Sequence, residues 1–422
     1  MFRCVTKLKG LAIDIDSFDE ISVSEWKEIS QQYRCIFLTD NPQSFSVLAE
    51  QFGADSTVHF QRNLAPNLIS HTQVLFKSGL KHTEIAYVSC NHAFLVKANT
   101  FLSGTIWITD HLSYKEASYA PDHIRYDFSD FKQALKNNVN GFFGEAVLSP
   151  EKQFPAMMIP IELDDGSEMD HLYMLGRYYS SNHYMGQLHR YSIAISQNKR
   201  EGKKYSGEFD SIFGNIFCSA VEYLKQYYNI QGVCAVPVKP NKRNRYKEML
   251  ASISKKCSVN NYGEHFICTR NYPDQKPLAA EERRKNIDGV FQFQADLTNK
   301  CIVIIDDIMT TGSTLNECAK ELKKSGASRV IGVVLGINQL GNYWSSDSPS
   351  VRCPICQNAM FMQINIYREF FYYCMSCYKR NQRQTLDYID GWRNLCDSQN
   401  SMFNYYVKEY FGNQKEQSDV LL

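Results

Sequence analysis

At 422 residues the chain is too long for one ordinary domain, and two or three are expected. Its composition, 44% hydrophobic and 22% charged, is that of an ordinary soluble globular protein. A formal net charge of +1 excludes a global field that would recruit nucleic acid or acidic membrane, although a local basic groove stays compatible with it.

The start, MFRCVTKLKGLAIDIDSFDE, has no apolar signal core and meets acids by Asp14. No stretch approaches the roughly 18 apolar residues of a membrane span, so a cytoplasmic protein with no membrane partner is expected. Over residues 1–112, GLAIDID, CIFLTD, EIAYVSC and GTIWITD alternate with helical stretches, the rhythm of a parallel-sheet α/β domain. Residues 113–167 read as a connecting segment, with helical periodicity in DFSDFKQALKNNV and an acidic, turn-rich IELDDGSEMD. Residues 168–340 form a second α/β pattern, with VCAVPV, CIVIIDD and RVIGVVLGI as strands buried on both faces. Residues 341–422 begin in a polar linker, carry two CxxC pairs, and end in a helical, aromatic tail. The fold class is therefore α/β, two parallel-sheet domains followed by a small cysteine-bearing module.

The run CIVIIDDIMTTGSTLNECAKEL, residues 301–322, carries the most chemistry. Ile302 to Ile305 predict a strand with Asp306 and Asp307 at its carboxyl end, where open α/β sheets bind ligands. Thr310, Thr311, Gly312, Ser313 and Thr314 then predict a tight turn opening a helix near Leu315, whose hydroxyls and backbone N–H groups suit an anion. Carboxylates for hydroxyls beside a cradle for phosphate match a ribose 5-phosphate.

This run resembles the phosphoribosyl-diphosphate (PRPP) motif of type I phosphoribosyltransferases at every position. The resemblance implies that Asp306 and Asp307 hold the ribose hydroxyls and that Thr310 to Thr314 wrap the 5-phosphate. AVPVKPNKRNRY (235–246), RNYPDQKPLAAEERRKNIDGVFQF (270–293) and the upstream YMLGRYYSSNHYMGQLHRYSIAIS are similar to the competence protein ComF group of that family. The negative charge of PRPP then assigns Lys239, Lys242, Arg243 and Arg245 to the diphosphate, against a plain solvated basic loop, and Arg283 and Arg284 are expected in the catalytic set on a loop that closes over the reaction. Two features depart from the group: the cysteines follow the transferase domain instead of preceding it, and the loop after the first strand is rich in lysine. The reaction implied is displacement at the anomeric carbon by a nitrogen nucleophile, with magnesium on the PRPP oxygens.

Of the fourteen cysteines, only Cys353, Cys356, Cys374 and Cys377 are clustered. Two CxxC pairs with a hairpin-like alternation between them, MFMQINIYREFFYYC, predict a structural zinc ribbon with four thiolate ligands. Arg352, Arg368, Lys379, Arg380 and Arg383 beside Phe370 to Tyr373 make nucleic acid a candidate partner of the ribbon, against plain packing.

At the other end, Asp14-x-Asp16 closes one strand and Thr39 another, with Lys77 or Lys81 following. Over residues 8–110 this order resembles the haloacid dehalogenase (HAD) superfamily. There the first acid is the nucleophile, the second an acid/base, and the threonine a phosphate ligand. The place where that family completes its magnesium site reads Ser89-Cys90-Asn91, without a carboxylate, so a degenerate module is expected. Three functions are weighed: a PRPP-dependent transferase; a ComF-like, nucleic-acid-associated adaptor that binds PRPP or nucleotide without turnover; and, disfavoured by residues 89–91, a phosphatase acting through Asp14. Acceptor, pathway and oligomeric state are not written in these motifs.

Overall fold

The computed structural model describes residues 2, 5, 7–18, 23–60, 66, 68–137, 141–148, 157–181, 183–199, 207–272, 285–340, 352–358, 360–364, 370–382 and 384–387. The first sheet is built from β1 (Gly10–Asp14), β2 (Arg34–Thr39), β3 (Thr57–His59), β4 (Ile85–Ser89), β5 (Gly104–Ile108) and β6 (His123–Arg125). All pairs are parallel, in the order β3-β2-β1-β4-β5-β6. Both faces are covered, which is why these strands read as unbroken apolar runs. Leu11 and Ile13 face Trp26, Ile29, Phe131 and Leu135. Ala12, Ile36 and Tyr87 face the opposite side, with Val74 and Leu95.

The second sheet contains β7 (Ile159–Ile161), β8 (His171–Met174), β9 (Arg177–Tyr178), β10 (Ile230–Ala235), β11 (Asn260–Asn261), β14 (Cys301–Met309) and β15 (Arg329–Asn338). Its order is β11-β10-β14-β15-β8-β7, with β9 also on β15 and only β7 antiparallel. Val303 and Ile305 pack on the helices Asp210–Leu224 and Lys247–Cys257. Ile302 and Ile304 pack on the helix Ser313–Lys324. A hairpin of β12 (Phe266–Cys268) and β13 (Phe291–Phe293) stands apart. A last antiparallel sheet holds β16 (Phe361–Ile364), β17 (Phe370–Tyr373) and β18 (Thr385–Asp387). The tail expected as helical after residue 380 begins instead with the strand β18, and its residues 388–422 lie outside the described residues. No helix among the described residues is long and apolar enough to cross a membrane.

The segment 113–167, expected as a connection, instead supplies an edge strand to each sheet, HIR at 123–125 and IPI at 159–161. Three residues are too few to show a period, which hid both strands from the sequence pattern. The same segment carries the ionic joint between the sheets. Buried Arg177 donates to both oxygens of Glu145, at 2.9 and 2.8 Å, and to Asp122 at 2.8 Å. Burial alone would raise the Glu145 carboxyl, but Arg177 and His189 hold it well below the usual carboxylate range. The Gln339 amide adds a second tie, accepting from Ala120 N–H and donating to the Ala117 carbonyl.

Candidate functional site

The candidate site begins where β10 stops. β10 pairs with β14 only as far as Ala235 opposite Ile305, whereas β15 accompanies β14 on to Met309. A notch opens on the β10 side, and Asp306 and Asp307 stand at it, in a strand that runs four residues past the expected Ile305. The chain leaving β10 keeps one bond, Val236 N–H to the Ile305 carbonyl at 3.1 Å, and then becomes the cation-rich loop 236–246. Acids and cations therefore share one sheet edge because two neighbouring parallel strands end there.

On the other side of the acids, the chain turns through Thr310 and Thr311 to Gly312. Gly312 sits at φ +72°, a left-handed backbone conformation that calls for glycine, while the Met309 methyl 2.8 Å from an added Cβ is the movable end of a flexible side chain. The helix starts at Ser313, two residues before the expected Leu315, and Gly312 contributes no side chain to cap it. The Thr311 and Ser313 hydroxyls are 3.0 Å apart. First-turn N–H groups with clustered hydroxyls are what an anion site at a helix start requires.

The two acids have different surroundings. Asp306 Oδ1 accepts from the Tyr246 hydroxyl at 2.8 Å and from Asp307 N–H at 2.8 Å. Asp307 Oδ1 accepts from Lys199 Nζ at 3.3 Å and from Ile308 N–H at 2.8 Å. Asp307 Oδ2 lies 2.8 Å from Arg245 Nη2, yet this buried oxygen receives no aligned hydrogen bond, and buried Arg245 Nε gives none. Burial and the neighbouring Asp307 charge push Asp306 up to about 6. Burial opposes ionisation of Asp307 as well, but Arg245 and Lys199 overcome it and hold it down at about 2. The pair titrates as a unit with one proton bound more tightly than the other.

The expected diphosphate cations are dispersed along the loop. Arg245 stacks 4.6 Å over the Tyr246 ring and pairs with Asp307. Arg243 pairs with Asp210. Lys239 lies 4.4 Å above the Tyr272 ring, and Lys242 is exposed at a turn closed by its N–H to the Lys239 carbonyl. Arg283 and Arg284 fall in 273–284, outside the described residues. Sequence reasoning missed Lys199 and Tyr246. Lys199 is separated from Asp307 by 108 positions, and no local pattern could have joined them.

The structure also brings Asp14, Asp16 and Thr39 together. Thr39 Oγ1 donates to Asp16 at 2.7 Å, and Asp40 N–H to its other oxygen at 2.8 Å. Fully buried Asp14 accepts from Ser89 Oγ at 2.7 Å. Of the two lysines considered for this site, Lys77 has its ammonium elsewhere, on the carbonyls of Ala54 and Thr57, and Lys81 precedes the turn 82–84.

The four clustered cysteines converge, with all four sulfurs within 4.8 Å of one another. Cys353 and Cys377 are 3.8 Å apart and Cys356 and Cys374 3.4 Å, too far for disulfides. A zinc tetrahedron with Zn–S bonds of about 2.3 Å has edges of roughly 3.8 Å, so the donor set fits zinc. Cys377 N–H points to Cys374 Sγ at 3.4 Å, a knuckle contact that supports a thiolate.

Comparisons with known proteins agree with part of this picture. Residues 269–363 match the family model described as phosphoribosyl transferase domain, a stretch that contains the acid pair and the turn. The chain is 39% identical over 67 residues to the DNA utilization protein YhgH of Escherichia coli O157:H7, covering 16% of this chain and 30% of that protein. It is 36% identical over 59 residues to competence protein F of Haemophilus influenzae, covering 13% of this chain and 26% of that protein. The chain thus spans less than a third of the length of these curated relatives. A purine phosphoribosyltransferase structure from Pyrococcus horikoshii aligns with a TM-score of 0.20 and 17% identity, over 30% of this chain and 84% of that one. The chain therefore carries, at residues 269–363, a match to the phosphoribosyl transferase domain, and is similar to the competence protein F and YhgH proteins over a quarter to a third of their length.

Proposed function

We propose that residues 168–340 bind PRPP with magnesium and transfer its phosphoribosyl group to a nitrogen acceptor. The observation that carries this reading is the joint placement of a carboxylate pair and an open helix start on β14, beside the loop that follows β10. Asp306 and Asp307 accept from the ribose hydroxyls, and Thr310 to Thr314 with Gly312 take the 5-phosphate. Lys239, Lys242 and Arg243 serve the diphosphate, and Arg283 and Arg284 complete the set. The acceptor nitrogen lone pair attacks the anomeric carbon, the carbon–oxygen bond to diphosphate breaks, and diphosphate leaves with that electron pair while the acceptor loses a proton. Magnesium, if bound together with PRPP, would supply charge neutralisation for the leaving diphosphate. The chain's own contribution is orientation and fixed charge, with no covalent nucleophile.

Calorimetric titration of PRPP with magnesium tests it. Wild type binds, and Asp306→Asn/Asp307→Asn does not; a well-folded wild type that binds nothing refutes the reading. Release of diphosphate with some acceptor then separates turnover from binding.

A second reading, a ComF-like adaptor that binds PRPP or nucleotide without turnover, is supported by the words DNA utilization and competence in the relatives' names and by the cysteine-bearing sheet. Salt-dependent DNA binding that zinc chelation abolishes would favour it. In either reading the zinc is structural, since four thiolates leave no open position. The first domain is proposed as a degenerate HAD-like module, because Ser89 occupies the place of a metal-binding acid and donates to Asp14.

A further inference from the structure

Lys199 ends the helix Arg190–Lys199 and lies upstream of every motif that defines the site. Its position is nonetheless fixed by buried neighbours. Asn198 donates to Asp210 Oδ1 at 2.7 Å and accepts from Phe209 N–H at 3.0 Å, and Asp210 in turn holds Arg243. The helix end is therefore tied, through Asp210 and Arg243, to the cation loop 236–246.

Two features separate Lys199 from its neighbour Arg245. The Arg245 side chain is 21% exposed and stacked on Tyr246, a fixed counter-ion. The Lys199 side chain is 47% exposed, and Asp307 is its one ion-pair partner among the described residues. An ammonium has three donors on a flexible stem. One is committed to Asp307 Oδ1, at a long 3.3 Å, and two remain for something entering the notch. The other oxygen of the same carboxylate, buried Asp307 Oδ2, has no aligned donor of its own.

Resting on the phosphoribosyl reading above, we propose that Lys199 is a specificity residue of this site. It bridges Asp307 to an anionic group on the anomeric side of the ribose, and so selects PRPP over ribose 5-phosphate. A ribose hydroxyl on Asp307 brings the anomeric substituent to the loop side, within the arc the ammonium sweeps while keeping Asp307. A ligand with a diphosphate there gains a charge-assisted contact, and one with a bare hydroxyl does not.

The test is calorimetry on the full chain, with PRPP and with ribose 5-phosphate, each with magnesium, for wild type, Lys199→Gln and Lys199→Arg. Lys199→Gln is expected to weaken PRPP by at least about tenfold while ribose 5-phosphate changes less than about threefold; Lys199→Arg recovers most of the loss. Equal losses for both ligands would mean that Lys199 acts only by ordering Asp307, and unchanged PRPP affinity would remove it from the site; either result overturns the proposal. Failure of wild type to bind either sugar phosphate is a separate outcome, which overturns the phosphoribosyl reading and this inference with it. Melting curves of the three proteins confirm that each is folded.

Discussion

Two acid pairs stand at the carboxyl ends of central parallel strands in this chain, and their neighbours differ in kind. Among their contacts, Asp14 accepts from Ser89, and Asp16 accepts from Thr39 and the Asp40 N–H. Asp306 and Asp307 face Arg245, Lys199 and the Tyr246 hydroxyl, with one buried oxygen lacking an aligned donor. Asp306 has hydroxyl and backbone donors like the first pair, whereas the half-exposed Lys199 ammonium beside Asp307 leaves donor capacity that an anionic ligand can use. The same topological address thus holds, in the second sheet, an acid pair with cations beside it, the arrangement that the proposed ligand requires.

The largest expected effect breaks that comparison directly. Asp306→Asn/Asp307→Asn lowers PRPP affinity by about a hundredfold or more, since two charged acceptors are lost. Asp14→Asn/Asp16→Asn leaves PRPP affinity unchanged in the same titration. A loss in the second variant would show that the two sites communicate.

Restoring a carboxylate to the first site comes next. Ser89→Asp places a second carboxylate against buried Asp14 and removes its donor. Without metal it should cost on the order of 3 kcal/mol of stability. Recovery of the melting temperature by millimolar magnesium would show that only this acid was missing from the metal site; no recovery would show a more thoroughly altered site.

A pH effect follows from the shifted acids. Asp306, pushed up to about 6, takes a proton as pH falls through that value, so PRPP affinity declines between pH 7.5 and 5.5. The sign for stability is opposite. The folded chain binds the Asp306 proton more tightly than the unfolded chain, so stability falls as pH rises from about 4 through 6. Asp307, held at about 2, contributes stability above the ordinary carboxylate range and loses it as pH falls toward 2.

The smallest effect sharpens the same point. Tyr246→Phe removes a hydroxyl that donates to Asp306, and should cost about 1 kcal/mol in a melting or urea curve. Because that bond favours the ionised carboxylate, its loss also moves the midpoint of the pH-dependent affinity upward. An unmoved midpoint would mean that burial and Asp307 alone set the Asp306 proton.

The sequence by itself determined the parts whose signal is local. The strands around Ile13, Phe37, Val88, Ile304 and Val333 are apolar runs long enough to read, and all are buried. The acid pair, the Gly312 turn and the two CxxC pairs are short-range patterns whose chemistry follows from spacing. What only the tertiary structure decided are meetings across the chain. Strand order brought Lys199 to Asp307, Tyr246 to Asp306, and Arg177 to Asp122 and Glu145, over separations of 108, 60, 55 and 32 residues. The three-residue edge strands at 123–125 and 159–161 belong here too, because pairing and not periodicity makes them strands. Periodicity records which face of an element meets the core, while the identity of a distant partner depends on how the sheets are ordered. That is why the acids and the Gly312 turn were legible in advance, and the charges beside the acids were not.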